Sequence, residues 1–252
     1  RGLTPLDLQR QPDRDKSGQG GIPVGDTDYE RYINTDNLLA CQRRPDQLVN
    51  HDELCFQTTH QVSELWMKEI HHELGEVTRL MNGAGDGLWR AVHLLRRVHL
   101  LMGFLSSHLS VLETMHPTDY TPIRATLGNG SGMDSPGFRA ILAAGPAVAA
   151  AFAGLLARRG LTPLDLQRQP DRDYALFQVM QGLLDFDEGF QRFRHSHLLL
   201  TRRQIGDAVG LSGVPVQVLE KRAGRTFFPD LWLAIAEMSE ERKLAYGGGT
   251  AP

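Results

Sequence analysis

The chain has 252 residues, of which 41% are hydrophobic and 23% are charged, as is ordinary for a globular protein with a substantial core. Its formal net charge of -3 gives no global reason to expect nucleic acid or an anionic membrane surface as a partner. The 2 cysteines are too few for a disulfide framework, so a reducing cytoplasm is the expected location, and no apolar run approaches the roughly 20 residues that span a bilayer.

The segment RGLTPLDLQRQPDRD occurs twice without a change, at residues 1–15 and again at residues 159–173. The second copy continues into a helical pattern, whereas the first leads into the Gly-rich stretch KSGQGGIPVG. Because such a stretch has little apolar surface to bury, we expect residues 1–25 to form a flexible or extraneous N-terminal segment. Residues 26–252 are expected to form one domain.

Apolar residues recur at helical spacing along most of the chain, and no convincing alternation of period two indicates a strand. A loop around a short helix is expected between the second and third long helices. The pattern therefore predicts an all-α fold, a single-domain bundle of long helices. The predicted helices cover residues 29–41, 51–82, 88–115, 137–159, 174–205, 217–223 and 228–238.

Histidines and acidic residues are frequent in HDELCFQTTHQVSELWMKEIHHEL, residues 51–74, which raises the question of a metal site. Two long helices each carry an E-x-x-H pair, Glu69 with His72 and Glu113 with His116. Dimetal bundles use such pairs together with further inward glutamates from two more helices. No clear pair of extra inward glutamates accompanies them here, so a di-iron carboxylate bundle stays an alternative interpretation.

The segment TRRQIGDAVGLSGVPVQVLEKRAG, residues 201–224, mimics a helix-turn-helix. Its apolar positions would form a small core, Gly210 the turn, and its arginines and lysine phosphate contacts. Against a regulator, Pro215 would open or break the recognition helix, and the segment directly follows a long helix that must end somewhere. A DNA-binding regulator is thus a further alternative.

Residues 51–74 also resemble the signature helix of tryptophan 2,3-dioxygenases, H-D-E-x-x-F-x-x-x-H-Q-x-S-E-L-W-x-K, followed by H-E-L. Other stretches are similar to the same family: DYERYINTDNLL, SVLETMHPTDYTPIRATLGNGSG, FQRFRHSHLLLTRRQIG and TFFPDLW. The resemblance covers about residues 29–133 and 185–231. It implies a helical bundle that encloses a haem pocket and uses molecular oxygen as co-substrate.

For the cofactor, the resemblance implies that His197 is the axial ligand of the iron of haem b. It also implies that Gly132 and Trp66 lie beside the cofactor. The neighbouring His195 is about 200° away around the helix, so it cannot share the iron. A neutral imidazole on a rigid buried helix is a reasonable haem ligand.

For the substrate, the resemblance implies that His60 meets the indole N–H and that Phe56 forms the aromatic wall of the indole pocket. Tyr120 and Arg124 would hold the amino-acid carboxylate, since the planar guanidinium matches a carboxylate with two hydrogen bonds. Ser131 would lie in the loop beside haem and substrate. Catalysis would then depend on orientation and a dry pocket around the cofactor.

Tyr29 and Tyr32 match residues that reach into a neighbouring subunit's pocket in this family. The resemblance therefore implies a homo-oligomer, a dimer or a tetramer. The expected partner is a small molecule, tryptophan or a derivative, with no nucleic acid and no membrane.

The late loop departs from the family pattern. The family has G-T-G-G-S-S-G, with a Thr that helps hold the substrate's amino group, whereas this chain has GDAVGLSGV with Ala208 at the Thr position. The predicted function is a haem-dependent oxygenase that inserts O2-derived oxygen at C2 and C3 of the indole of L-tryptophan or a substituted tryptophan. The altered loop favours an alternative: a monooxygenase that makes a hydroxylated or 2-oxindole product from a modified tryptophan in secondary metabolism.

Overall fold

The computed structural model describes residues 25–83, 87–128, 130–206 and 224–247, and this part of the chain is helical without a β-strand. The prediction of an all-α fold is therefore confirmed. The helix expected over 217–223 and most of the segment expected over 1–25 lie outside the described residues. The helices are α1 Asp28–Ile33, α2 Thr35–Leu39, α3 Asp52–Asn82, α4 Leu88–Ser107, α5 Leu109–Leu112, α6 Pro117–Thr126, α7 Pro136–Arg159, α8 Pro163–Arg168, α9 Tyr174–Ile205 and α10 Pro229–Gly247.

The chain divides into two compact units, Arg1–Leu48 and Val49–Pro252. In the first unit, Thr27 begins α1 with a capping box: its hydroxyl accepts from the Glu30 backbone N–H, and the Glu30 carboxylate accepts from the Thr27 backbone N–H. Asn34 adopts a left-handed conformation with φ of 60° and separates α1 from α2. The single helix predicted over 29–41 is therefore split into two short ones.

In the second unit, α3 packs against α4 and α7, and α4 packs along α9. The buried side chains of these four helices form one hydrophobic core. The helices α4 and α9 approach each other closely at two glycines. A Cβ atom on Gly182 would lie 2.8 Å from the Leu95 Cβ, and one on Gly189 would lie 2.9 Å from the Met102 Cβ, so larger residues would push the helices apart.

The helix predicted over 88–115 is interrupted, because α4 ends at Ser107 and the short α5 begins at Leu109. Polar side chains explain the interruption. The Ser106 hydroxyl donates to the Met102 carbonyl, and Ser107 and His108 both donate to the Phe104 carbonyl. Such side-chain bonds compete with the regular helical pattern.

Helix α7 is long and apolar enough to cross a membrane by length and composition alone, contrary to our expectation from the sequence. Its buried residues, including Val148, Phe152 and Leu155, belong to the core that α7 shares with α3. The core helix of a globular protein passes the same test. We therefore interpret α7 as a core helix.

Candidate active site

A cavity of about 740 Å³ lies among α3, α5, α6, α7 and α9 of the second unit. Its volume falls within the range of roughly 300–1,000 Å³ that is typical of ligand sites. Most of its wall is apolar, with contributions such as Met67, Leu112, Met115 and Phe193. The wall also contains residues predicted from the sequence, namely Phe56, His60, Tyr120, Arg124, Ser131, Gly132 and His197.

The wall does not include all of the predicted residues. Trp66 packs against the core and contacts the Phe104 ring, with 6.0 Å between ring centroids, and it is not part of the cavity lining. Tyr29 and Tyr32 lie on α1 in the first unit and are 70% and 88% exposed. Ala208 and the rest of the late loop lie outside the described residues, as does most of the helix-turn-helix-like segment.

His60 on α3 is held in one orientation by its own helix. Its Nδ1 is 2.7 Å from the Phe56 carbonyl oxygen, which can only accept, so Nδ1 carries the proton. The Phe56 ring flanks the imidazole, with 4.1 Å between the ring centroids. His60 keeps accessible surface toward the cavity. Burial among protein atoms is nevertheless the main cause that lowers its pKa, whereas the hydrogen bond to Phe56 raises the pKa. A neutral His60 therefore presents Nε2 as a hydrogen-bond acceptor.

Tyr120 and Arg124 lie one turn apart on α6 and both face the cavity. The Tyr120 ring is 5.9 Å from the Phe56 ring, centroid to centroid, and Asn50 donates to the Asp119 carbonyl at 2.6 Å, which ties α6 to the start of α3. Burial raises the pKa of the Tyr120 phenol, while the charge of Arg124 opposes the rise. A protonated phenol beside a guanidinium is a suitable donor pair for a carboxylate.

His197 on α9 lines the same cavity. Burial, with a smaller effect of His60, lowers its pKa to about 4, so the imidazole is neutral at pH 7. Among the described residues, neither ring nitrogen has a hydrogen-bonding partner; the ring contacts Phe193, and a Cβ atom on Gly132 would lie 3.5 Å from its Nε2. His195 is exposed and lines a separate surface groove, so it does not share this position.

The donor chemistry of the cavity fits a haem. In the described part of the chain, no group of three or more His, Cys, Asp or Glu side chains is arranged to hold a metal ion. The pairs Glu69–His72 and Glu113–His116 therefore do not combine into a dimetal site. The neutral His197 imidazole, which has no hydrogen-bonding partner among the described residues, lies in a largely apolar cavity and suits an iron whose other ligands come mainly from a porphyrin.

Glu64 is a cavity residue to which our sequence analysis assigned no role. One carboxylate oxygen accepts from the Ser135 hydroxyl, and the other accepts from the Gly137 N–H at 2.9 Å, so α3 holds the first turn of α7. A Cβ atom on Gly137 would lie 2.6 Å from the Met67 Cβ, which requires glycine there. Glu64 is part of the S-E-L stretch of the motif. Its role could not be read from the sequence, because its partners Ser135 and Gly137 lie more than 70 residues later in the chain.

Comparison with known proteins identifies one family. The sequence profile of the tryptophan 2,3-dioxygenase family matches residues 13–143. Tryptophan 2,3-dioxygenase of Caulobacter vibrioides is 30% identical to the chain, over 82% of this chain and 97% of that protein. The enzymes of the same name from Myxococcus xanthus and Kineococcus radiotolerans are 29% and 30% identical, over 86% and 83% of this chain and 91% of each relative.

The fold and the cavity define an all-α protein with a ligand-sized site, and the relatives indicate that its class is that of the haem-dependent oxygenases. Within that class, the chain belongs to the tryptophan 2,3-dioxygenase family.

Proposed function

We propose that the chain is a dioxygenase that adds both atoms of O2 across C2 and C3 of the indole of L-tryptophan, which opens the ring to a formylkynurenine. The observation that carries the proposal is one cavity that gathers His197, His60 and Arg124 from three different helices. These residues supply an imidazole for iron, an acceptor for an indole N–H and a cation for a carboxylate.

The cofactor in this proposal is haem b, whose iron the His197 imidazole would hold. When bound, the haem supplies the O2 binding and the oxygen-transfer chemistry. His197 suits the role because its depressed pKa keeps the imidazole unprotonated, and no described protein group competes for its nitrogens. Gly132 lies against the His197 ring and leaves space beside Nε2.

The substrate would be oriented by side chains of α3 and α6. Arg124 and Tyr120 bind the carboxylate, and Phe56 packs against the indole. His60 accepts the indole N–H through Nε2, because Nδ1 is already committed to the Phe56 carbonyl. Since His60 is neutral and hydrogen-bonded, we assign it to orientation rather than to proton abstraction. The apolar wall excludes water and so strengthens these polar contacts.

We also propose that the enzyme acts as a homo-oligomer, a dimer or a tetramer, in the cytoplasm. The exposed rings of Tyr29 and Tyr32 on α1 support the oligomer, because they offer aromatic surface that a second subunit could cover. The substrate is a small molecule, and neither nucleic acid nor a membrane enters the proposal.

Isotope-labelled O2 tests the reaction. We expect the product from L-tryptophan to keep two labelled oxygen atoms by mass spectrometry. A product with one labelled atom would instead support the monooxygenase alternative, which the names of the relatives do not favour. An absorbance spectrum of the purified protein, with and without dithionite, should show the Soret band of a haem.

A further inference from the structure

The cavity wall carries more cationic than anionic side chains. Among its described residues are three guanidinium groups, Arg124, Arg194 and Arg225, and one carboxylate, Glu64. Both oxygens of Glu64 already accept hydrogen bonds from the start of α7. The wall therefore offers cationic groups for more than one anionic group of a ligand.

Arg194 is placed on the same helix as His197, one turn before it. Its guanidinium lies over the Phe190 ring, 4.9 Å from the centroid, and its Nη2 donates to the Arg225 carbonyl oxygen. Burial lowers the pKa of Arg194, the Asp187 charge opposes this, and the neighbouring Arg225 adds to the lowering. Two like charges are thus held near each other at the edge of a largely apolar cavity.

The position of Arg225 is fixed by a buried carboxylate on α9. Asp187 is fully buried and accepts from the backbone N–H groups of Phe227 and Phe228 at 3.0 and 3.2 Å. It also accepts from the Trp232 indole N–H at 2.9 Å. These bonds fasten the chain just after Arg225 to the helix that carries Arg194. Within the described ranges, Arg225 itself makes no ion pair.

We propose that Arg194 and Arg225 bind the two propionate carboxylates of the haem whose iron His197 ligates, an inference that rests on the function proposed above. A guanidinium binds a carboxylate with two parallel hydrogen bonds, and the haem carboxylates would relieve the repulsion between the two arginines. The division leaves Arg124, on a different helix, for the carboxylate of the substrate. Three guanidiniums are then matched by three carboxylates.

Hemin and hemin dimethyl ester are the probes, because esterification removes the charges and leaves the porphyrin and iron. Spectrophotometric titration of the haem-free protein should give at least about tenfold tighter binding of hemin than of the ester, the scale of one charged hydrogen bond. Arg225→Met and Arg194→Met should each lower this preference, since one carboxylate loses its partner, and the double variant should lose most of it. Affinity for the ester and the position of the Soret band should not change, since His197 still ligates the iron.

Arg192→Met is the matched control, because Arg192 lies on the same helix, pairs with Glu188 and lines the separate surface groove. It should keep the full preference for hemin. If circular dichroism shows that Arg194→Met does not fold, Arg194→Lys takes its place and should retain part of the preference for hemin. Arg225→Met tests the proposal independently.

Equal affinity of the wild-type protein for hemin and ester would overturn the proposal. So would arginine variants that keep the preference but bind tryptophan more weakly, because the guanidiniums would then serve the substrate. A wild-type protein that takes up neither probe would refute the proposed function itself, and this inference with it.

Discussion

The two histidines of the cavity differ in what surrounds their nitrogens. On α3, His60 donates from Nδ1 to the Phe56 carbonyl, so its tautomer and ring orientation are determined by its own helix. On α9, His197 has an aromatic neighbour, Phe193, but no hydrogen-bonding partner for either nitrogen among the described residues. Burial lowers the pKa of both rings.

The difference teaches that neutrality alone does not decide what an imidazole does. A ring with one nitrogen committed is prepared to accept one hydrogen bond of known direction, which suits His60 to an indole N–H. A ring with both nitrogens uncommitted has no protein partner to give up before coordination, which suits His197 to iron. The following variants break or sharpen this contrast, from the largest expected effect to the smallest.

Removal of the coordinating imidazole should have the largest effect. We expect His197→Ala to lose haem retention while the protein stays helical by circular dichroism. The measurement is the ratio of Soret to protein absorbance after gel filtration. His195→Ala is the control, since His195 is exposed two residues earlier on the same helix, and it should retain haem fully. Stoichiometric haem in His197→Ala would show that the axial ligand lies elsewhere.

Removal of the carboxylate-binding guanidinium should have the next largest effect. We expect Arg124→Ala to raise the Kd for L-tryptophan by about 10- to 100-fold, because a charged hydrogen bond contributes roughly 1.5–3 kcal/mol. Spectral titration of the haem protein measures the Kd, and the Soret band should be unchanged in the absence of substrate. Arg139→Ala, at an exposed position of α7 outside the cavity, should bind as the wild type does. Unchanged affinity in Arg124→Ala would place the carboxylate at another residue.

Removal of the second imidazole should have a smaller effect that depends on the substrate. We expect His60→Ala to lower kcat/KM for L-tryptophan by about tenfold, the scale of one hydrogen bond. With 1-methyl-L-tryptophan, which lacks the indole N–H, wild type and His60→Ala should differ by less than about threefold. A similar loss with both substrates would argue that His60 acts on something other than the indole N–H.

The sequence predicted most of the long helices and seven of the residues that line the cavity. Helices α3 and α9 begin and end within a residue of the predicted bounds, because each has a regular apolar stripe and a clear terminal signal. The residues that line the cavity from α3 and α6 were found because their motifs are local. Their roles remain predictions until the variants are measured.

Contacts between distant segments could not be predicted in the same way. Asp187 binds the backbone about 40 residues later, and Glu64 binds the start of α7 more than 70 residues later. Arg194 and Arg225 likewise meet only after α9 and the start of α10 have packed together. The break between α4 and α5 was missed for another reason: apolar spacing continues through it, and only the side-chain bonds of Ser106, Ser107 and His108 interrupt the helix.

The last effect acts on folding and not on haem or substrate binding: it concerns the stability of the haem-free protein at acid pH. The pKa of His197 is about 4 in the folded chain, against an ordinary value of about 6.5 in the unfolded one. Between these values the unfolded state binds the proton and the folded state does not, so acidification lowers the free energy of unfolding. The contribution of this residue is at most about 1.4 kcal/mol per pH unit, and it levels off below pH 4.

Urea unfolding of haem-free wild type and His197→Ala from pH 7 to pH 4 measures this contribution. The variant should show the shallower pH dependence, because only the lowered pKa of His60 remains in the cavity. Equal slopes in the two proteins would mean that water reaches the His197 imidazole in the folded chain. His197 would then not differ from an ordinary surface histidine, and burial would not explain its neutrality.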